Sequence, residues 1–215
     1  MDFEQSTIKG CAEERGIERL CHFTRLESLS RIIESGALMS RDKLGKEGRS
    51  FDFNDKLRFD KRLDHICLSV AVPNPYLMAK FVSRFPNVNW IVLELGISLL
   101  WSEGTEFCPT NAAASSGNLC DLGANAFKKL FDDEVQIKPW ELRTRRPDQR
   151  RDHPTDIQAE VLVKSFISLE HVAGICVKSD GDYEEVQSIL EAARPPLEIP
   201  IRKSSSFFST ATVWR

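Results

Sequence analysis

A chain of 215 residues with 29 Lys and Arg against 32 Asp and Glu carries a net charge of −3, and 41% of its residues are hydrophobic. The near balance of charge excludes a general polyanion binder and leaves any nucleic-acid affinity to local patches. The composition is that of an ordinary globular protein, long enough to bury a substantial core as a single domain over residues 1–215.

No apolar run reaches the length that spans a bilayer, so no membrane contact is expected. The opening MDFEQSTIKG lacks the basic start and apolar stretch of a signal peptide, and a cytoplasmic protein is expected. The six cysteines, Cys11, Cys21, Cys67, Cys108, Cys120 and Cys176, form no C-x-x-C pair. Several sit in apolar strand-like runs, where reduced cysteine acts as a small hydrophobe, and no metal site is expected.

In chain order, RLCHFTRLESLSRIIESG (19–36) ends a strand-like stretch at His22 and runs at once into an amphipathic helix. Leu26, Leu29, Ile32 and Ile33 recur at helical spacing, and Gly36 is a natural stop. Thr24 with Glu27 three residues later has the form of a capping box, which explains the threonine. It does not explain His22.

Residues 40–64 are charged and glycine-containing, a long loop of the kind that tends to be functional. HICLSVAV (65–72) is a strand stopped by Pro73 and Pro75, YLMAKFVSRF (76–85) a short helix, and WIVLEL (90–95) a buried strand. Residues 96–120 read as irregular, ANAFKKLF (124–131) as helix, and 132–156 as a second long charged loop. QAEVLVKSF (158–166) and VAGICVK (172–178) are strands, GDYEEVQSILEAA (181–193) is a helix, and the tail supplies at least one more strand. There is no regular βαβ rhythm and no G-x-G-x-x-G after the first strand, so a dinucleotide-binding doubly wound sheet is disfavoured. The fold class is α+β.

Three sets of polar residues stand against this pattern. His22 ends an apolar segment. Arg58 and Arg62 lie in the first charged loop. Glu160 sits inside QAEVLV, where alternation puts Ala159, Val161 and Val163 on one face and Gln158, Glu160 and Leu162 on the other. An acid in such surroundings is costly to bury unless it faces a cleft or has a partner. A fourth feature is RTRRPDQRR (143–151), whose Arg145, Arg146, Arg150 and Arg151 form a local basic cluster suited to phosphates, partly offset by Asp148 and Asp152.

The succession of H-F-T before a helix ending S-G-A-L, then D-H-I-C-L-S-V-A-V-P-N-P-Y-L-M, T-N-A-A, and Q-A-E-V-L-V followed by V-A-G-I-C-V, resembles the DarT family of nucleic-acid ADP-ribosyltransferase toxins. The resemblance runs in order over residues 18–180. It implies a split, mostly antiparallel β-sheet with flanking helices and NAD in the cleft between its halves. By the same resemblance His22 and Thr24 contact NAD as cofactor-binding residues, His22 bonding a ribose hydroxyl. The catalytic arginine maps onto Arg58 or Arg62, whose cation holds NAD phosphates or ribose, and Glu160 is the catalytic glutamate. Asn111 of TNAA matches a structural or substrate-positioning asparagine.

The function implied is mono-ADP-ribosyl transfer from NAD, as a substrate and without a metal, to a base in nucleic acid. Single-stranded DNA and RNA both stay open as acceptors, and a cognate antitoxin is an expected partner in a toxin–antitoxin or phage-defence system. Two other readings remain: transfer to a protein side chain, and a non-catalytic module binding nucleic acid or a nucleotide. Glu160 separates the last from the rest, because a carboxylate near phosphates repels them and serves no purpose in simple binding.

Overall fold

Asp2 and Gln5 begin the first helix by exchanging bonds across one turn: the Asp2 carboxylate accepts from the Gln5 amide at 2.8 Å, and the Gln5 side chain accepts from the Asp2 amide at 3.0 Å. This helix, α1 (Phe3–Arg15), buries Ile8 and Ala12 and ends at Gly16 in the left-handed region, φ 71°. The computed structural model describes residues 1–48, 59–138 and 140–208. Only Ile8 and Ala12 of α1 are buried, so its sequence carries no apolar stripe that would mark a helix before residue 24.

Strand β1 (Leu20–Arg25) follows, and a 3-10 turn at Leu26–Ser28 leads into α2 (Leu29–Ser35), which stops at Gly36 with φ 72°. The capping box expected at Thr24 and Glu27 does not form, since neither the turn nor α2 has a side-chain cap. Thr24 and Arg25 are taken up by strand pairing against Ile91 and Trp90. Long-range pairing overrides the local cap.

Next come β2 (Ala37–Met39), α3 (Arg41–Lys46), β3 (His65–Val70), α4 (Pro75–Arg84) and β4 (Trp90–Leu95). Asn74 caps α4 by accepting from the amides of Tyr76 and Leu77 at 3.0 and 3.1 Å, with Pro75 in the first turn. The chain continues through β5 (Glu106–Cys108), β6 (Asp121–Leu122), α5 (Gly123–Lys129), β7 (Glu134–Lys138) and β8 (Glu141–Thr144). It closes with β9 (Glu160–Lys164), β10 (Phe166–Ser168), β11 (Val172–Val177), α6 (Asp180–Ala193) and β12 (Ile201–Lys203).

Three expectations are corrected here. The irregular stretch at 96–120 contains β5, too short to show alternation. The second charged loop contains the hairpin β7–β8, in which only Val135 and Ile137 alternate inward. The strand expected over 158–166 breaks at Ser165, φ 67°, and its end pairs with β2 instead.

Eight strands make one sheet in the order β12-β11-β4-β1-β3-β9-β5-β6, antiparallel except where β11 meets β12. The fold is α+β with a mostly antiparallel sheet. One face carries the main core, where Ile66, Leu68, Phe107, Val161 and Val163 meet residues of α1, α2 and α5. Phe107 meets Phe127 edge-on at 5.2 Å, the favourable arrangement for two rings. On the other face Cys108, Ala112 and Leu162 form a small cluster with Cys67 and Cys120. The alternation read in QAEVLV is therefore real: Val161 and Val163 face the main core, and Leu162 the opposite side.

The register contains the feature that matters for function. β1 pairs with β4 over six positions but with β3 over only two, Leu20 with Val70 and Cys21 with Ser69. Beyond Cys21 the two central strands part, and the sheet opens.

Candidate active site

A cavity of about 300 Å³ lies at this opening, lined among others by His22, Ser69, Asn111 and Glu160. Glu160 is the first residue of β9, directly opposite Cys108 of β5, and only 6% exposed. A carboxylate so enclosed needs partners. Asn111 supplies one: its Nδ2 donates to Glu160 Oε1 at 2.9 Å. The Asn111 Oδ1 accepts from the Ala113 amide at 3.1 Å, capping the 3-10 turn at Ala112–Ser115. With its oxygen held by backbone, the asparagine can present only its NH2 group to the acid.

The segments on either side of this contact are tied together below it. Thr110 donates to Asp156 Oδ2 at 2.6 Å, and Asp156 Oδ1 accepts from the Gln158 amide at 3.1 Å. Thr110 and Asp156 are 0% and 1% exposed, so this charge-assisted pair is one whose loss leaves a buried group without its partner. It fixes the approach to Glu160 on one chain segment and to Asn111 on the other.

His22 stands where β1 and β3 part, its Nδ1 3.0 Å from the Cys67 carbonyl oxygen. A carbonyl only accepts, so Nδ1 carries the proton, and in the neutral ring Nε2 remains an acceptor. The backbone thus selects the tautomer. Arg41 of α3 and Lys80 and Arg84 of α4 line the same cavity and bring cationic charge to a space that also holds Glu160 and the buried Asp60. Lys80 and Arg84 are four residues apart and share a helix face.

An acid on a cavity wall, an acceptor imidazole and a set of cations match a site for a phosphorylated substrate whose reaction develops positive charge. The family model for the ssDNA thymidine ADP-ribosyltransferase DarT matches residues 21–208. The chain belongs to the DarT family. Its activity is accordingly ADP-ribosyl transfer, and the family description names single-stranded DNA as the acceptor, which gives no support to the RNA alternative. No curated protein sequence matches the chain.

Solved structures with the same fold include Thermus sp. 2.9 DarT in complex with ADP-ribosylated ssDNA, at 14% identity and TM-score 0.62, covering 90% of this chain and 97% of that one. The same Thermus protein in complex with NAD+ matches at 15% identity and TM-score 0.62, covering 89% and 98%. Thermosipho africanus DarTG in complex with ADP-ribose matches at 14% identity and TM-score 0.61, covering 89% of this chain and 51% of that chain.

The residues singled out in the sequence take different places. His22, Asn111 and Glu160 come together in the cavity. Thr24, two residues beyond His22 on the same strand face, is 8% exposed and not part of the described lining. Arg58 lies outside the described residues. Arg62 is described, and its Nε pairs with Glu106 while its NH1 donates to the Asp60 carbonyl at 3.3 Å. It braces the loop against β5 and is not among the described lining of the cavity.

The basic cluster at 145–151 has a different setting from the one its nearness to Glu160 in sequence suggests. Arg145 donates to the carbonyls of His153 and Arg150 at 2.9 and 2.7 Å, and Arg150 makes two bonds to Asp152 at 2.9 and 2.8 Å. Arg151 pairs with Glu14 of α1 at 3.1 Å, and Arg146 with Asp148 at 3.5 Å. Arg145, Arg146 and Arg151 line a separate open cavity of about 770 Å³ together with Arg15 of α1. Burial works against ionisation of Asp152, but Arg150 and His153 outweigh it and hold the carboxyl below its ordinary range.

The cations that sequence reasoning missed are Arg41, Lys80 and Arg84. A signal existed for two of them: Lys80 and Arg84 are spaced by four on a helix that the Asn-Pro cap starts directly after a strand of the site.

Proposed function

We propose that this chain takes NAD as its donor and a thymidine of single-stranded DNA as its acceptor, with Glu160 as the catalytic carboxylate of a single catalytic domain. The observation that carries this reading is the enclosed Glu160 whose Oε1 is held by Asn111 at 2.9 Å beside the tautomer-fixed His22. Asn111 orients the carboxylate, and Glu160 accepts the 2′-hydroxyl of the donor ribose. Loss of nicotinamide puts positive charge on that ribose, and a preorganised carboxylate stabilises it without reorganising. Glu160 is also the base placed to take the proton of the attacking base nitrogen.

His22 Nε2 accepts from a ribose hydroxyl, and Thr24 supports the strand end that aims it. Lys80 and Arg84 supply charge for the donor's phosphates. Arg58 keeps its assignment as the phosphate-binding arginine, because Phe59 and Asp60, which follow it, line the cavity. The presence of DarTG among the structural relatives supports reading the chain as a toxin with a cognate antitoxin.

The test is incubation with NAD labelled in its ADP-ribose, alongside a thymidine-containing oligodeoxynucleotide, the same oligomer lacking thymidine, an RNA and a protein pool. Label on the first substrate alone is expected. Label on RNA or protein would overturn the acceptor assignment, and release of nicotinamide without transfer to any pool would overturn the transferase reading.

A further inference from the structure

Three cysteines gather on the sheet face that carries Glu160, and two of them stand in a defined relation. β5 and β6 pair Glu106 with Leu122 and Phe107 with Asp121. The next step of that antiparallel register sets Cys108 opposite Cys120. Directly opposed residues of an antiparallel pair have Cα atoms about 4.5–5.5 Å apart, inside the range a disulfide spans without backbone movement. Both thiols pack into the cluster of Ala112 and Leu162, so they sit on the same face. Neither has a role in the transfer chemistry.

We propose that Cys108 and Cys120 are a hydroperoxide-sensitive thiol pair that closes to a disulfide and staples the wall of the active-site cavity. Their environments divide the work. Cys108 is fully buried and Cys120 partly exposed, so an oxidant reaches Cys120 first. The neighbouring Cys108 thiol, together with the Arg62 guanidinium, lowers the Cys120 pKa despite burial. The same contact, together with burial, raises that of Cys108 and keeps it the protonated partner.

In the first step the Cys120 thiolate attacks the peroxide O–O bond, forming an S–O bond and releasing hydroxide, which leaves a sulfenic acid. In the second, Cys108 gives up its proton and attacks the Cys120 sulfur. The S–S bond forms, the S–O bond breaks, and the second oxygen leaves as water. Two thiols are oxidised by two electrons and one peroxide is reduced to two waters.

The ring so closed contains Asn111, the residue that holds Glu160. The bond therefore fixes the loop in the geometry that presents Asn111 to the acid, and stabilises the wall against opening. Because it concerns two thiols outside the transfer chemistry, this inference stands or falls independently of the donor and acceptor assignments.

The experiment is differential alkylation of the purified, reduced protein after brief treatment with hydrogen peroxide. Free thiols are blocked with one reagent, the protein is reduced, and newly released thiols take a second. The tryptic peptide Phe85–Lys128 contains Cys108 and Cys120 and no other cysteine. Both of its thiols are expected to carry the second label, with thermal unfolding raised by roughly 5 °C before reduction and returning after it. Cys120→Ser should abolish both effects, while Cys11→Ser leaves them in place. First-reagent label on both thiols, irreversible over-oxidation of Cys120 without a link, or a bond joining two protein molecules would each overturn the proposal.

Discussion

Glu160 and the arginines at 145–151 are close in sequence, yet they meet opposite fates in the fold. The acid stands in an apolar strand with no opposite charge beside it in sequence, so the fold must supply a partner, and it brings Asn111 from the distant turn after β5. The arginines stand in a loop that carries its own aspartates. Arg150 is satisfied by Asp152, Arg146 by Asp148, and Arg145 by the carbonyls of the loop it closes. A lone charge in apolar surroundings points to a built site, whereas a cluster of mixed charge can satisfy itself.

The largest expected effect bears on the first half of that contrast. Glu160→Gln keeps shape and the Asn111 contact geometry but removes the charge that stabilises the cationic ribose, so transfer should fall about a hundredfold or more. Its thermal midpoint should stay within a few degrees of wild type, measured by transfer assay and calorimetry on one preparation. Asn111→Ala is next. It takes away one bond to a charged group, worth about 1.5–3 kcal/mol, and should slow transfer roughly tenfold or more. A parallel fall in Tm large enough to explain the loss would reduce Asn111 to a fold-supporting role.

His22→Ala should raise the NAD concentration needed for half-maximal rate by roughly tenfold, in line with a lost hydrogen bond to ligand, while leaving the unliganded Tm nearly in place. A collapse in Tm with unchanged NAD requirement would make it a structural histidine. Arg62→Ala sharpens the opposite side. By removing a half-buried pair with Glu106 it should cost about 1 kcal/mol, a Tm drop of roughly 3 °C, with little change in NAD affinity.

Smaller still are the effects in the basic loop. Replacing Arg146, Arg150 and Arg151 by alanine should leave transfer within about twofold and the salt dependence of DNA modification unaltered, whereas Lys80→Ala with Arg84→Ala should raise the NAD concentration needed for half-maximal rate. A flattened slope in the loop variant would restore that loop as the acceptor surface. His153, beside Asp152, Arg150 and Arg145, has its pKa lowered chiefly by burial from an ordinary value of 6.5. Below about 6.5 the unfolded chain binds the proton that the folded chain refuses, so stability falls as pH drops through that region. His153→Gln should flatten the acid side of the Tm-against-pH curve there.

Much of the fold was legible because its central strands are continuous apolar runs and its helices carry their own stop and start residues. WIVLEL and VAGICV are apolar runs that could only be buried strands, and Gly36 and the Asn-Pro pair punctuate the helices as their chemistry requires. The elements that escaped are short, such as β5, or polar on most of their surface, such as α1 and the β7–β8 hairpin. Within the site, Glu160 and His22 were legible because each breaks an apolar pattern. Asn111 was marked by resemblance alone. The contacts that hold the site, Asn111 to Glu160 and Thr110 to Asp156, link positions far apart in sequence and follow no periodicity. The partners of Arg62 and of the basic loop, Glu106 for the first and Asp152, Glu14 and the loop's own carbonyls for the second, are likewise contacts that nearness along the chain does not reveal.

The assignment of the cavity as the active site reduces to where the donor binds, and amide hydrogen exchange with and without NAD measures that directly. Protection on adding NAD is expected at residues 21–24 and 67–69, around Asn111–Ala113 and at Glu160, with residues 143–153 unchanged. Protection confined to 143–153, with the cavity amides unaffected, would contradict the assignment of the cavity as the active site.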